Sequence, residues 1–429
     1  MKKNKQKNTQ SIFKNIYTLF IGNSIGKLIG LISIPIIAKI YTPAEIGLLS
    51  LFTSATNLLF VFSTLKICLA IPLEQKKNNA ISLVYICFII NIVISLILLG
   101  LGFFYHLDVM NALSIDGLIP YWYYIIISSL LIGFYETLEN WNVQQRKFTV
   151  ISKTKISQSI LGNSTKIIFG LLSFKLIGLL FGQIISQSGG IIPLSKGIKI
   201  HPNIILISIK KRFYLIKKHI EFPLYRLPSQ LLLSISLYIP IFFFNYEYGE
   251  SITGQLSMAF MSLAIPISLI GNSISQVYYS EIAKITAKEP GEIHQLTNKI
   301  IKKLFLLSIP PTLVLFFYGE FLFTLVFGLK WQIAGKLIEI LSVSILFQFI
   351  SSPLINAFTI FKKQKEFVII NLLRTIMLLI SFLIAHIYQL DYIKCTLLYT
   401  LIISINYIYT IIRIYFVIKK ERKCHITTH

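Results

Sequence analysis

The chain has 429 residues, of which 55% are hydrophobic and 14% are charged, and its mean hydropathy is +0.72. A soluble domain carries about 25% charged residues, so this composition excludes a soluble protein and indicates membrane insertion along the whole chain. The net charge of +24 would suit a nucleic-acid partner, but the positions of the charges, given below, exclude one.

Apolar runs of helical length follow one another from the first residues to the last. They predict twelve transmembrane helices, at 13–40, 44–72, 80–105, 120–143, 148–173, 175–193, 219–245, 252–283, 300–319, 335–360, 366–387 and 391–418. Helices satisfy their backbone groups internally, and the chain lacks the ~10-residue alternation of a membrane barrel. We therefore expect an all-α integral membrane protein.

The longest segment outside these runs is basic and divides the chain after the sixth predicted helix. It predicts an N-terminal six-helix lobe (1–195), a basic cytoplasmic linker (196–218) and a C-terminal six-helix lobe (219–429) around a central cavity. About 30 of the 41 Lys and Arg residues lie in the connections on the side of the N-terminus, which places both termini in the cytoplasm. The basic excess is therefore a topology signal.

The second half of the chain echoes the first. The Ile-Pro pair and the tyrosine of segment 34–41 return at the same spacing in segment 239–246, and a glutamate follows each segment. With six helices per half, both halves begin on the same side of the membrane. This is the parallel-repeat arrangement of several transporter folds, which bind substrate between the repeats near the midplane.

Ionisable residues inside the predicted spans are candidates for function, because each must face a cavity or a partner. Snorkelling to the headgroups and structural pairing are the alternatives. Lys27 lies far from both ends of its span, and prolines on both sides of Arg226 can break its helix. The predicted substrate-binding cations of the cavity are Lys27, Arg374, Arg226, Lys155, Lys166 and Lys66. The predicted polar cavity-lining residues are Asn23, Gln158 and Asn163, the last two on the polar fifth span.

Glu136 and Glu139 lie three residues apart on one face of the fourth span. They are either a proton or cation site that drives exchange, or the acidic partners of cavity lysines in salt bridges that fix the helices.

Cations outnumber acids deep in the spans, and a cationic cavity indicates an anionic cargo. A lipid-linked sugar carries such an anion in its pyrophosphate, which Lys and Arg bind well. The four cysteines have no metal-ligand spacing, so we expect no metal site and no cofactor.

The first helix and its turn also resemble a known family. They carry Gly22-Asn23 and then Pro-Ile-Ile-Ala-Lys-Ile-Tyr-Thr-Pro-Ala-Glu-Ile-Gly over residues 35–47, in which Thr42 would cap the next helix. This stretch resembles the start of the polysaccharide (O-antigen) flippases of the multidrug/oligosaccharidyl-lipid/polysaccharide exporter superfamily. The family's arginine near the end of the second helix is Lys66 here, and Cys68 stands at the place of the family's acid.

The resemblance implies a two-lobe, V-shaped transporter of the bacterial cytoplasmic (inner) membrane that works by alternating access. Its cargo would be an undecaprenyl-pyrophosphate-linked oligosaccharide repeat unit for O-antigen, lipopolysaccharide or another glycan, moved to the periplasmic leaflet. Ion coupling and contact with a glycan polymerase are further implications. Membrane lipid would be the other partner.

Four other functions are alternatives. A glycan polymerase or ligase needs an exposed catalytic loop, whereas the outer connections are short and lack D-x-D and Walker-type motifs. A cation-coupled drug exporter of the same superfamily would favour an acidic cavity. A peptidoglycan-precursor flippase would typically have fourteen spans. A membrane scaffold is the fourth alternative.

Overall fold

The computed structural model describes residues 2–196, 209–285, 290–355, 357–358, 361 and 363–426. Within these ranges the chain forms α-helices joined by short 3₁₀ and π segments, and no β-strand. The prediction of an all-α membrane protein is therefore confirmed.

Eight α-helices lie before residue 219 in the part of the chain that the structure describes. They are α1 (Lys2–Ile40), α2 (Pro43–Phe60), α3 (Lys77–Ala112), α4 (Trp122–Gln144), α5 (Phe148–Leu171), α6 (Lys175–Ser188), α7 (Ile191–Ser195) and α8 (Ile209–Lys218). Short 3₁₀ helices, Ile67–Leu73 and Asp116–Tyr121, precede α3 and α4.

A π segment (Phe222–Arg226) leads into the second series of helices. These are α9 (Leu227–Ile285), α10 (Pro290–Phe327), α11 (Gln332–Leu354), α12 (Gln364–Ile387) and α13 (Tyr392–Ile426), with a 3₁₀ helix at Leu329–Trp331. Two of them are interrupted: α9 at Gly249, where φ is 80°, and α10 at Tyr318. Glycine has no Cβ and adopts a positive φ without a steric clash. Gly249 therefore allows one helix to end and the next to begin.

Nine stretches among the described residues are long and apolar enough to cross a membrane. They are Ile21–Ile40, Lys77–Ala112, Asp116–Gln144, Lys175–Ser195, Phe222–Ala264, Ile293–Phe327, Leu329–Leu354, Lys365–Ile387 and Tyr392–Lys419. The predicted second and fifth spans correspond to the short helix α2 and the polar helix α5, which are not among the nine. Phe222–Ala264 covers the seventh span and part of the eighth. The count of twelve stays a prediction.

The turn between α1 and α2 has the capping predicted for Thr42. The Thr42 hydroxyl accepts a hydrogen bond from the Glu45 amide (3.3 Å), and the Thr42 amide donates one to the Glu45 carboxylate (2.8 Å). This reciprocal capping box satisfies two backbone donors that a helix start leaves open, and Pro43 occupies the first helical position.

The predicted second span is not one continuous helix. α2 ends at Phe60, and the chain passes through a turn in which Leu65 and Lys66 have φ values of 49° and 58° before the 3₁₀ helix starts at Ile67. The left-handed conformation costs a non-glycine residue about 1–2 kcal/mol. Contacts of Lys66 with α4, described below, accompany this strained turn.

The chain divides into two compact units, residues 1–246 and 247–429. In the first unit α5 packs against α1 and α6, and α3 packs against α4. In the second unit α11 packs against α10 and α13, and α12 also packs against α13. The lobe boundaries predicted at residues 195 and 219 stay a prediction.

Each unit contains a tyrosine whose hydroxyl donates to a distant backbone carbonyl. The Tyr41 hydroxyl donates to the carbonyl of Lys166 in α5 (2.6 Å), and the Tyr248 hydroxyl donates to the carbonyl of Leu390 between α12 and α13 (2.7 Å). Tyr41 follows α1, whereas Tyr248 lies within α9, next to its interruption at Gly249. The echo between Tyr41 and Tyr246 stays a prediction.

Candidate functional site

A polar cavity of about 550 Å³ lies inside the first unit, between α1, α4, α5 and α6. Seven of the predicted site residues line it: Asn23, Lys27, Glu136, Glu139, Lys155, Gln158 and Asn163. The other lining residues are Gly26, Phe60, Ile132, Tyr135, Ser159, Ser186 and Gln187. The polar faces of four helices thus converge on one space, as the polar fifth span predicts.

Close packing of α1 on α5 brings the two polar faces together. A Cβ atom at Gly22 would lie 2.7 Å from the Cα of Ser152, so only glycine permits this approach. One turn further, the Ser159 hydroxyl donates to the carbonyl of Gly26 (2.6 Å). Small residues at helix interfaces allow such backbone contact in membranes.

The first ion pair of the site joins the strained turn to α4. Lys66 Nζ lies 3.1 and 3.2 Å from the two carboxylate oxygens of Glu136, and Cys68 Sγ lies 3.4 Å from one of them. The Lys66 side chain is 5% exposed, whereas that of Glu136 is 22% exposed and opens to the cavity. Although Cys68 replaces the family's acid, Lys66 therefore has an acidic partner, which α4 supplies.

The second ion pair lies across the cavity wall between α4 and α5. Lys155 Nζ is 3.1 Å from Glu139 Oε1 and 4.6 Å from the centre of the Tyr135 ring. Both side chains are partly exposed to the cavity, at 31% and 28%. The two glutamates thus have the helix-fixing contacts that were one of their two predicted roles.

Lys27 is in a different position from the paired cations. It lines the cavity and, among the side chains that the structure describes, has no hydrogen bond or ion pair. Amides surround the same space: Gln158 is buried, and within the described residues its Nε2 has no hydrogen-bond partner, while Asn163 Nδ2 donates to the carbonyl of Ser159. Asn23 is exposed to the cavity. The site therefore combines one unpaired cation with unsatisfied polar groups.

Besides Lys66, which contacts Glu136 but does not line the cavity, three predicted site residues lie elsewhere. Lys166 is buried between α5 and α6, where its Nζ donates to Gln183 Oε1 (2.7 Å), and it does not line the cavity. Arg226 is exposed in the π segment before α9. Arg374 belongs to the second unit, where its guanidinium carbon lies 5.6 Å from the Tyr407 ring centre. The Nε of Arg374 is buried and without a hydrogen-bond partner among the described residues.

Some lining residues were not predicted. Ser186 and Gln187 belong to a polar run at the end of α6 that could have indicated a cavity-facing stretch. Phe60 enters the lining because α2 ends there, and the sequence contains no glycine or proline to indicate that end. A second cavity, of about 650 Å³, lies within the other unit beside Glu247 and His386 and contains none of the predicted site residues.

The helical fold is similar to that of solved transporters of the MOP superfamily. A MATE-family multidrug resistance transporter of that superfamily, inward-facing, matches with a TM-score of 0.63 at 13% identity, over 94% of this chain and 95% of its own. The lipid II flippase MurJ, in an inward closed conformation, matches with a TM-score of 0.73 at 17% identity, over 94% of this chain and 87% of its own. A MOP-superfamily transporter from Pyrococcus furiosus matches with a TM-score of 0.59 at 14% identity, over 95% of this chain and 96% of its own.

The sequence itself identifies the family. The family model described as "Polysaccharide biosynthesis protein" matches residues 36–334, more than two thirds of the chain. The chain belongs to this polysaccharide biosynthesis family, and the resemblance found in its first helix and turn is confirmed. No match was found among the curated proteins.

Proposed function

We propose that the protein is a flippase for undecaprenyl-pyrophosphate-linked oligosaccharide repeat units. It moves them from the cytoplasmic to the periplasmic leaflet of the bacterial inner membrane by alternating access. Membership of the polysaccharide biosynthesis family and the MOP-superfamily fold support a flippase. The observation that carries the choice of cargo is Lys27, a cation in a polar cavity that has no acidic partner among the described side chains.

The charge balance of the cavity supports an anionic cargo. Each of the two glutamates is held by a lysine, so the pairs are neutral as units. Lys27 adds the charge that remains, and it is a compact cation with three donors, suited to a phosphate group. A cavity made for a cationic drug would instead leave a carboxylate unpaired.

The size and the polar groups of the cavity support binding of the head of a lipid-linked sugar. A volume of about 550 Å³ is typical of a site for a drug-sized ligand. We propose that it receives the pyrophosphate and the adjoining sugar, with the amides of Asn23, Gln158 and Asn163 facing sugar hydroxyls. The polyprenyl chain would stay in lipid.

We further propose that the protein has twelve spans, α2 and the polar helix α5 among them, with both termini in the cytoplasm. Arg374 is the proposed anion ligand of the second unit. For ion coupling, Glu136 and Glu139 are the candidate carboxylates. Both lie in ion pairs, so exchange of an ion there requires the pairs to open.

The test is complementation of a strain that lacks this protein, scored by surface glycan and by lipid-linked intermediate on the cytoplasmic side. We expect Lys27→Ala to abolish surface glycan and to accumulate the intermediate, and Lys27→Arg to retain transport because it keeps the cation. Lys153→Ala is the matched control, since it removes an exposed lysine of α5 outside the cavity.

Three outcomes would refute the proposal. If Lys27→Ala transports normally, the cavity cation does not bind the cargo. If deletion of the protein leaves single repeat units on the surface, the defect lies in polymerisation. If deletion leaves the glycan unchanged and alters drug resistance or peptidoglycan synthesis, the cargo belongs to another class.

A further inference from the structure

The ten-residue helix α8 has a basic and aromatic sequence, Ile-Lys-Lys-Arg-Phe-Tyr-Leu-Ile-Lys-Lys. It precedes the span Phe222–Ala264 and belongs to the segment predicted to be cytoplasmic. Its two faces have different surroundings. One is docked on the first unit, and the other is uncovered.

Leu215 and a buried carboxylate hold the docked face. Leu215 is fully buried in a cluster that includes Ile67, Ile71 and Leu83. Below it, the carboxylate of Glu74 accepts hydrogen bonds from Lys218 and His219 (2.7 Å for the latter). We call Glu74 with these two basic side chains the Glu74 clasp.

The carboxylate of the clasp is buried, and all parts of the clasp belong to the first unit. Glu74 is 4% exposed, and Asn79 Nδ2 also donates to its carboxylate (3.3 Å). Burial opposes ionisation of Glu74, but the hydrogen bonds from Lys218, His219 and Asn79 outweigh it, so the pKa of Glu74 lies below its ordinary value of 4.5. A charged carboxylate therefore fixes the orientation of α8.

The uncovered face carries two aromatic rings and a cation. Phe213 is 68% exposed, Tyr214 is 64% exposed, and Lys217 is also exposed. Continuing from Phe213 and Lys217 at helical spacing, Ile220 and Leu224 are exposed as well. These exposed positions continue across the turn at 219–220 and the π segment into Phe222–Ala264, a stretch long and apolar enough to cross a membrane. An exposed apolar stripe that continues into a membrane-crossing helix belongs at the level of the membrane surface.

We propose that α8 is a membrane-surface anchor that binds anionic glycerophospholipids of the cytoplasmic leaflet. Aromatic rings concentrate at the level of the headgroups, and a basic amphipathic helix is attracted to anionic lipid. Lys218 is engaged in the clasp, so Lys217 is the described cation of α8 that is directed to the headgroups. The continuity of the exposed stripe with a lipid-facing span favours lipid over a soluble protein as the occupant.

The experiment places a fluorescent reporter on the uncovered face. Phe213→Cys in a Cys424→Ser background is labelled with an environment-sensitive NBD dye; the other three cysteines are buried. The protein is reconstituted in vesicles of phosphatidylcholine with increasing phosphatidylglycerol, with or without bromine on the acyl chains. Gln75→Cys, an exposed site in the connection beside Glu74, is the control.

We expect blue-shifted emission at position 213, quenching by bromolipid that exceeds quenching at position 75, and a shift that increases with phosphatidylglycerol. Lys217→Ala should raise the phosphatidylglycerol fraction for half-maximal shift by about fivefold, and Lys217→Arg should not. Emission as in water, without quenching, would overturn the proposal.

Two further results would also overturn it. Quenching that is independent of phosphatidylglycerol would remove the anionic preference. A shift that appears only when a polyprenyl pyrophosphate is added to the vesicles would assign the surface to the cargo. None of these readouts requires transport, so the result is independent of the proposed function.

Discussion

The ion pair between Lys66 and Glu136 gives a prediction that separates helix fixing from coupling. Glu136→Ala leaves the ammonium of Lys66, 5% exposed, without its carboxylate. Removal of one partner of a buried pair costs about 3–5 kcal/mol. Because Glu136 itself is 22% exposed, water of the cavity reduces the cost, and we expect a loss of stability of about 3 kcal/mol, the lower end of that range.

The opposite change is expected to be milder. Lys66→Met leaves the carboxylate of Glu136, which still reaches the water of the cavity, so we expect a loss of about 1–2 kcal/mol. The double variant Lys66→Met/Glu136→Leu removes both charges and fills their space with apolar atoms. Its stability should return to within about 1 kcal/mol of the unmodified protein.

The assay is unfolding of the purified protein in detergent, measured for all four members of the double-mutant cycle. Coupling between the two sites appears as non-additive changes in the free energy of unfolding. Additive losses, with the double variant the least stable of the four, would refute the reasoning, because the two charges would then not stabilise one another.

The same double variant tests the role of the pair in transport. If the pair only fixes the turn on α4, a stable double variant should restore surface glycan in the deletion strain. If Glu136 exchanges an ion during transport, the double variant should be as stable as the unmodified protein yet fail to transport. The stability measurement thus makes the transport result interpretable.

Two more predictions concern packing and pH. Gly162→Ala should lower the free energy of unfolding by about 1–3 kcal/mol, because the new Cβ would lie 2.8 Å from the carbonyl oxygen of Gly182 in α6. Gly100→Ala, which has open space around it, should be neutral or stabilising by up to about 1 kcal/mol. Equal melting temperatures of the two variants would contradict this prediction. Folding lowers the pKa of Glu74, so the Glu74 clasp should contribute stability above pH 4.5 that is lost as the pH falls below that value. Glu74→Gln should flatten the dependence of the free energy of unfolding on pH. A variant with the same pH profile as the unmodified protein would contradict this prediction.

Much of the fold was accessible from the sequence because lipid imposes a simple rule. A run of apolar residues long enough to cross the bilayer must be helical, and α3, α12 and α13 follow that rule closely. Local chemistry was also sufficient at the turn after α1, where Thr42 and Glu45 have the spacing of a capping box. The cavity could be anticipated because polar groups on α5, such as Gln158 and Asn163, would be unfavourable against lipid.

The remaining features depend on contacts between distant segments. The turn at Lys66 contains no glycine or proline, and its partner Glu136 lies 70 residues later. The sequence places Lys166 and Lys155 on the same helix, but whether a lysine faces a cavity or a neighbouring helix depends on how that helix is rotated. The Glu74 clasp was missed for the same reason: a glutamate close to Lys76 and Lys77 is typical of a surface charge until α8 docks against it.

The broken second span also has a consequence for synthesis of the protein. The segment from α2 through the 3₁₀ helix emerges from the ribosome with a lysine that has no partner until α4 has been made. Its helix ends at Phe60, and the segment is not among the nine stretches long and apolar enough to cross a membrane. In the twelve-span protein we propose, this segment must therefore wait at the translocon or the bilayer surface until α4 arrives. Insertion then follows the order of ion-pair formation, and a nascent chain stopped before Glu136 should leave residues 43–73 open to cytoplasmic protease.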